Sequence, residues 1–168
     1  FVVRIIIFKI QNIFNVLKNI KNEAPLARYI QFPKIPPILS QSIAVHLIRN
    51  KKILLDLQKE IANVDRGGEK ANIILTRGPD KDVKIQVKAT GKSAFQYFSE
   101  KDINADYIMW LHFGEFFHKT GESNIRVYSL KNPSTFFKSA EKISLEKFIE
   151  VTRKGLEIQE VDLSKLFS

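Results

Sequence analysis

The sequence predicts an α/β fold. Three observations carry that expectation: an apolar helical period at the start, paired runs of β-branched residues in the middle, and a capped amphipathic segment near the end. With 168 residues, 44% of them hydrophobic, the chain suits one globular unit with a sizeable core. Its expected parts are an N-terminal helical region (1–63), a central core (about 64–130) and C-terminal helices (131–168).

Residues 2–21 open the chain. Ile6, Ile10, Ile13, Phe14, Leu17 and Ile20 recur at helical spacing, which predicts an amphipathic helix that is buried or forms a dimer contact. Arg4, Lys9, Gln11, Asn12 and Asn15 interrupt the apolar run and no small-residue cleavage site follows, which argues against a membrane anchor or signal peptide. Pro25, Pro33, Pro36 and Pro37 then predict an extended link, because each ring restricts the residue before it. From Ser40 to Asn63 the apolar spacing suits a long helix or a broken pair, ended by Arg66-Gly67-Gly68. Residues 71–77 and 83–90 are apolar, β-branched runs separated by Gly78-Pro79-Asp80-Lys81-Asp82, and so predict a β-hairpin. Residues 107–113 and 124–130 predict two further strands, with Phe116 and Phe117 between them as a core anchor. Helices are expected at 133–140 and 144–155, the second with Ser144 as N-cap, followed by a short apolar tail at 161–167 that docks or crosses to a partner subunit.

Composition narrows the function. There are 27 Lys and Arg against 18 Asp and Glu, a formal charge of +9, which favours a polyanionic partner. Nucleic acid ranks above an anionic membrane because the basic residues are spread along the chain rather than gathered in one polybasic block. The absence of cysteine excludes disulfides and thiolate zinc sites. His46, His112 and His118 are too few and too scattered for a zinc site, so a metal is expected to be Mg²⁺ on oxygen ligands. A cytoplasmic location is expected.

The most informative residues are Gln86-Val87-Lys88. Strand alternation puts Gln86 and Lys88 on one face and Ile85 and Val87 on the other. Asn72, at the start of the preceding strand and fourteen positions before Gln86, is expected near their level. Asp80, six positions before Gln86, falls at the hairpin tip, the wrong end to share a metal with Gln86. On its own, such a Q-x-K is also what an ordinary solvated strand face looks like.

Together with Gly91–Phe98 and the Ala105-Asp106-Tyr107 phrase within Asp102–Phe113, these residues resemble the core of the PD-(D/E)xK nuclease superfamily, in a type II restriction endonuclease-like QxK variant. The resemblance spans roughly 41–137, its specific part 71–113. It implies a restriction-endonuclease-like mixed central β-sheet flanked by helices. It also implies Mg²⁺-dependent, sequence-specific hydrolysis of double-stranded DNA by a homodimer. Asn72, Gln86, Lys88 and Glu60 would form the catalytic set, with Asn72, Gln86 and the Val87 carbonyl on the metal and Lys88 beside water and phosphate. Asp56, Gln41 and His46 are the other groups on the preceding helix. The family places Asp where this chain has Asn72, so the resemblance implies weak Mg²⁺ binding and a poor or inactive nuclease that still binds DNA. Arg77, Lys84, Lys92 and Ser93 are the phosphate contacts expected near this core, with Arg66, Lys70 and Lys101 beyond them. A Holliday-junction resolvase, a homing endonuclease, a non-catalytic DNA-binding module and a basic scaffold protein are the alternatives.

Overall fold

The computed structural model describes residues 2–24, 29, 31–50, 52–53, 62–64, 73–75 and 82–166. Helix α1, Val2–Glu23, turns Ile10 and Phe14 into the core, with Val3, Ile6 and Ile7 packed partly against it. Helix α2, Pro37–Arg49, starts where a proline ring suits the first turn, since no N–H partner is needed there. It stops at Asn50, whose backbone N–H and Nδ2 both donate to the His46 carbonyl, at 3.1 and 2.8 Å. Of the long helix or broken pair expected over 40–63, a single unbroken helix is excluded by this end at Asn50 and by the strand Ala62–Val64, β1, while residues 54–61 lie outside the described residues.

The sheet continues with β2, Ile73–Leu75, and β3, Lys84–Thr90, paired antiparallel with Ile73 opposite Ile85. This is the expected hairpin. A connection then carries a short strand, β4 (Phe95–Phe98), and one helical turn, α3 (Glu100–Ile103). It returns the chain to β5, Tyr107–His112, which lies parallel to β3. Parallel neighbours need a crossover of about a dozen residues or more, and residues 91–106 supply it. β6, Asn124–Lys131, runs antiparallel to β5. β7, Glu141–Ser144, pairs with β4 in a separate two-stranded sheet. Helix α4, Leu145–Thr152, β8, Leu156–Asp162, and α5, Leu163–Leu166, complete the described chain. The main sheet of six described strands has the order β1-β2-β3-β5-β6-β8 and is mixed.

Alternation along the strands divides the core in two. Ile85, Val87, Met109, Leu111, Ile125 and Val127 face α1 and α2. Ile108, Trp110, Tyr128 and Leu130 face the other way, against Phe98, Ile103, Phe137, Ile143 and Phe148. Phe116 and Phe117 are buried on the α1 side, the expected core anchor.

Three expectations are corrected in the C-terminal third and the crossover. The helix expected at 133–140 is only a 3-10 turn, Pro133–Thr135, because Asn132 adopts a left-handed conformation (φ 49°) and residues 141–144 extend to pair with β4. Residues 95–98 and 156–162 are strands where the sequence pattern predicts none. The expected Ser144 cap is present, its hydroxyl accepting from the Lys147 N–H at 3.1 Å.

Candidate active-site face

Gln86 and Lys88 lie on one face of β3, beside Ile108 and Trp110 of β5. β3 is an interior strand between β2 and β5, so the face is not a solvated edge. Gln86 is 3% exposed. The Lys88 ammonium sits 2.7 Å from Asp102 Oδ2, with side-chain exposures of 21% and 5%.

Asp102 comes from α3, in the crossover. Its Oδ2 accepts from the Ser99 N–H at 2.7 Å and the Ser99 hydroxyl at 2.8 Å, while its own N–H donates to Ser99 Oγ at 3.4 Å. This reciprocal capping box fixes the start of the turn. The same carboxylate oxygen therefore caps α3 and neutralises Lys88. In the sequence Asp102 is marked only by the capping signature Ser99-Glu100-Lys101-Asp102, not as a site residue. Its approach to Lys88 is non-local and leaves no mark in the spacing.

Further along the same face, Thr90 Oγ1 accepts from Trp110 Nε1 at 2.9 Å and lies 2.9 Å from His112 Nδ1. With the indole donating, the hydroxyl proton is free to reach a neutral His112 nitrogen. Burial first, then the nearby Arg126 charge, holds His112 below its ordinary pKa of 6.5. Burial is also the leading cause of the lowered pKa of His118. As pH falls, the unfolded chain takes up these protons before the folded one. Their contribution to stability is thus complete above 6.5 and is lost as pH drops through the lowered folded values. The thermal midpoint is expected to sag below that point, and His112→Gln to flatten the sag. A midpoint unchanged from about pH 8 to about pH 5 contradicts this. Asp162, held down to about 2 chiefly by the Ser164 hydroxyl, loses its contribution only in far stronger acid.

The other candidates are distributed as follows. Asn72 and Glu60, with Asp56, Arg66, Lys70, Arg77 and Asp80, lie outside the described residues. Gln41 and His46 belong to α2, which covers the opposite face of the sheet, so they do not join Gln86 and Lys88. Val87 turns its side chain to that opposite face. Lys84 opens β3, where its backbone N–H donates to Asp106 Oδ2 at 2.8 Å and its carbonyl accepts from the Asp106 N–H at 3.0 Å. This clamp sets the start of β5 against β3. Lys92 and Ser93 are exposed on the bend after β3, and Lys92 pairs with Glu115 at 3.1 Å. That hydrogen bond is the leading cause of the lowered Glu115 pKa.

Among the described residues, the donors on this face do not by themselves make a Mg²⁺ site; Asn72 and Glu60, the other expected groups, lie outside them. Gln86 is neutral and buried, Lys88 is a cation, and Asp102 Oδ2 already serves two Ser99 donors and the ammonium. A hard dication prefers carboxylate oxygens. Among the described residues no group of three or more His, Asp or Glu is placed to hold a metal.

The fold is α/β, a mixed sheet flanked by helices, and no described helix is long and apolar enough to cross a membrane. No family model, curated protein or solved structure matches this chain.

Proposed function

We propose that the chain is a DNA-binding protein built on a nuclease core of the restriction-endonuclease type, which cleaves DNA poorly or not at all as its sequence stands. The observation that carries this reading is the Gln86/Lys88 face on β3, held between an antiparallel hairpin partner and a parallel strand. In the resembled nucleases, the lysine of that strand stabilises charge that develops at the scissile phosphate. Here Lys88 is already tied to Asp102, and the carboxamide beside it supplies no charge to gather a cation. Affinity for DNA then comes from lysines and arginines on phosphates, which include Lys84, Lys92 and, with a hydroxyl, Ser93. Double-stranded DNA is the expected partner, and a homodimer is the arrangement that cuts both strands of a symmetric site.

The test is to return the acids. Asn72→Asp, alone and with Gln86→Glu, should convert a chain that leaves supercoiled plasmid intact in Mg²⁺ into one that nicks or linearises it. Breaks at a short palindrome would mark a restriction enzyme, and paired nicks in four-way junctions a resolvase. Duplex binding without cleavage by either variant would leave the non-catalytic module.

A further inference from the structure

A groove of about 380 Å³ opens at the C-terminal end of β3, beyond the Lys88 face. That volume is near the lower end for small-ligand sites, enough for one nucleotide rather than a duplex. Its floor is aromatic. Phe14 and Phe32 stack at 5.0 Å and 19°, and His118 stands edge-on to both, at 5.0 and 4.7 Å. One wall is the bend after β3, with exposed Lys92 and Ser93. Lys34 and Phe95 also line it, and Phe95 is 57% exposed.

Cations surround these rings. The Lys21 ammonium lies 4.9 Å from the centre of Phe32, and that of Lys142 lies 5.6 Å from the centre of Phe95. Lys18 reaches the His118 carbonyl at 3.4 Å. An accessible ring beside lysines is the combination that single-stranded nucleic acid uses, with a base on the ring and its phosphate on the cations. A purely apolar ligand would leave the lysines unused, and a simple anion would leave Phe95 in water.

We propose that this groove binds an unpaired nucleotide of a nucleic-acid strand, its base against Phe32 and Phe95 and its phosphate between Lys34, Lys92 and the Ser93 hydroxyl. The inference deepens the DNA-binding reading and rests on it for the choice of a polyanionic chain. Thr90, on the groove wall, is two residues beyond Lys88 and so roughly 7 Å along the strand.

The experiment is fluorescence anisotropy with labelled oligo(dT), oligo(U) and a blunt duplex, using the whole chain and its Phe95→Ala and Lys34→Ala variants. Phe95→Ala should weaken single-strand binding about tenfold while leaving duplex binding and the thermal midpoint unchanged. Lys34→Ala should weaken it and reduce its salt dependence. Equal losses for oligo(dT) and oligo(U) support a site for DNA and RNA strands alike, and a loss confined to one supports the groove and shows which of the two strands it takes. If a folded Phe95→Ala binds both single strands as the parent does, or loses duplex binding equally, the groove assignment is overturned while DNA binding stands. Single-strand binding through the groove with no duplex binding would overturn the duplex-cleaving reading alone. Binding of no nucleic acid would overturn both.

Discussion

Asp102→Ala is expected to lower the free energy of unfolding by about 3 kcal/mol. Asp102 is 5% exposed and lies 2.7 Å from the Lys88 ammonium, which is itself mostly withdrawn from water. Removing one partner of such a pair leaves a charge without its counter-charge, which costs about 3–5 kcal/mol in a fully buried setting. The one-fifth exposure of Lys88 lets water screen part of that cost and places the effect at the lower end. That figure includes the loss of the Ser99 N–H and hydroxyl bonds to Asp102 Oδ2, while the Ser99 hydroxyl still caps the backbone N–H of residue 102. Urea unfolding followed by the fluorescence of Trp110, the single tryptophan, measures the change. Lys88→Met combined with Asp102→Ala should recover much of the loss, since no stranded charge remains. A change below about 0.5 kcal/mol in Asp102→Ala would show that the pair is screened and holds nothing in place.

Phe148→Ala is the larger change, expected at about 4 kcal/mol. Phe148 is fully buried and meets Phe98 at 5.5 Å, Trp110 at 5.3 Å and Phe137 at 6.0 Å. Truncation removes its transfer free energy and leaves a cavity that these rigid neighbours fill only in part. Because α4 covers the Gln86/Lys88 side of the sheet through this ring, its loss loosens the layer that shields the ion pair. The same unfolding experiment should show an earlier midpoint, and a loss under about 1 kcal/mol would contradict the packing described.

What the sequence made legible was local. The hairpin around β2 and β3, the strands β5 and β6 and the Ser144 cap follow from short-range signals: β-branched runs, glycine and proline punctuation, and a hydroxyl before an apolar turn. The strand pair β4 and β7 was hidden because its partners lie far apart in the chain and Phe95 and Tyr97 face solvent, which blurs any alternation against a core. β8 was hidden for a related reason: it is an edge strand whose outward residues include Ile158. The 133–140 segment has apolar residues at helical intervals, but Asn132 turns the chain before it and pairing with β4 outweighs a weak helical preference. At the site, periodicity placed Gln86 and Lys88 on a common face. It carried no information on burial or on Asp102, since both arise from the crossover folding back over β3.

The most direct measurement is conversion of supercoiled plasmid by Asn72→Asp/Gln86→Glu in Mg²⁺, beside the unsubstituted chain and the same variant with Lys88→Ala. Expected are intact plasmid with the unsubstituted chain, nicked or linear product with the double variant, and loss of that product once Lys88 is removed. Efficient cleavage by the unsubstituted chain, or cleavage by the double variant that survives Lys88→Ala, would contradict this expectation.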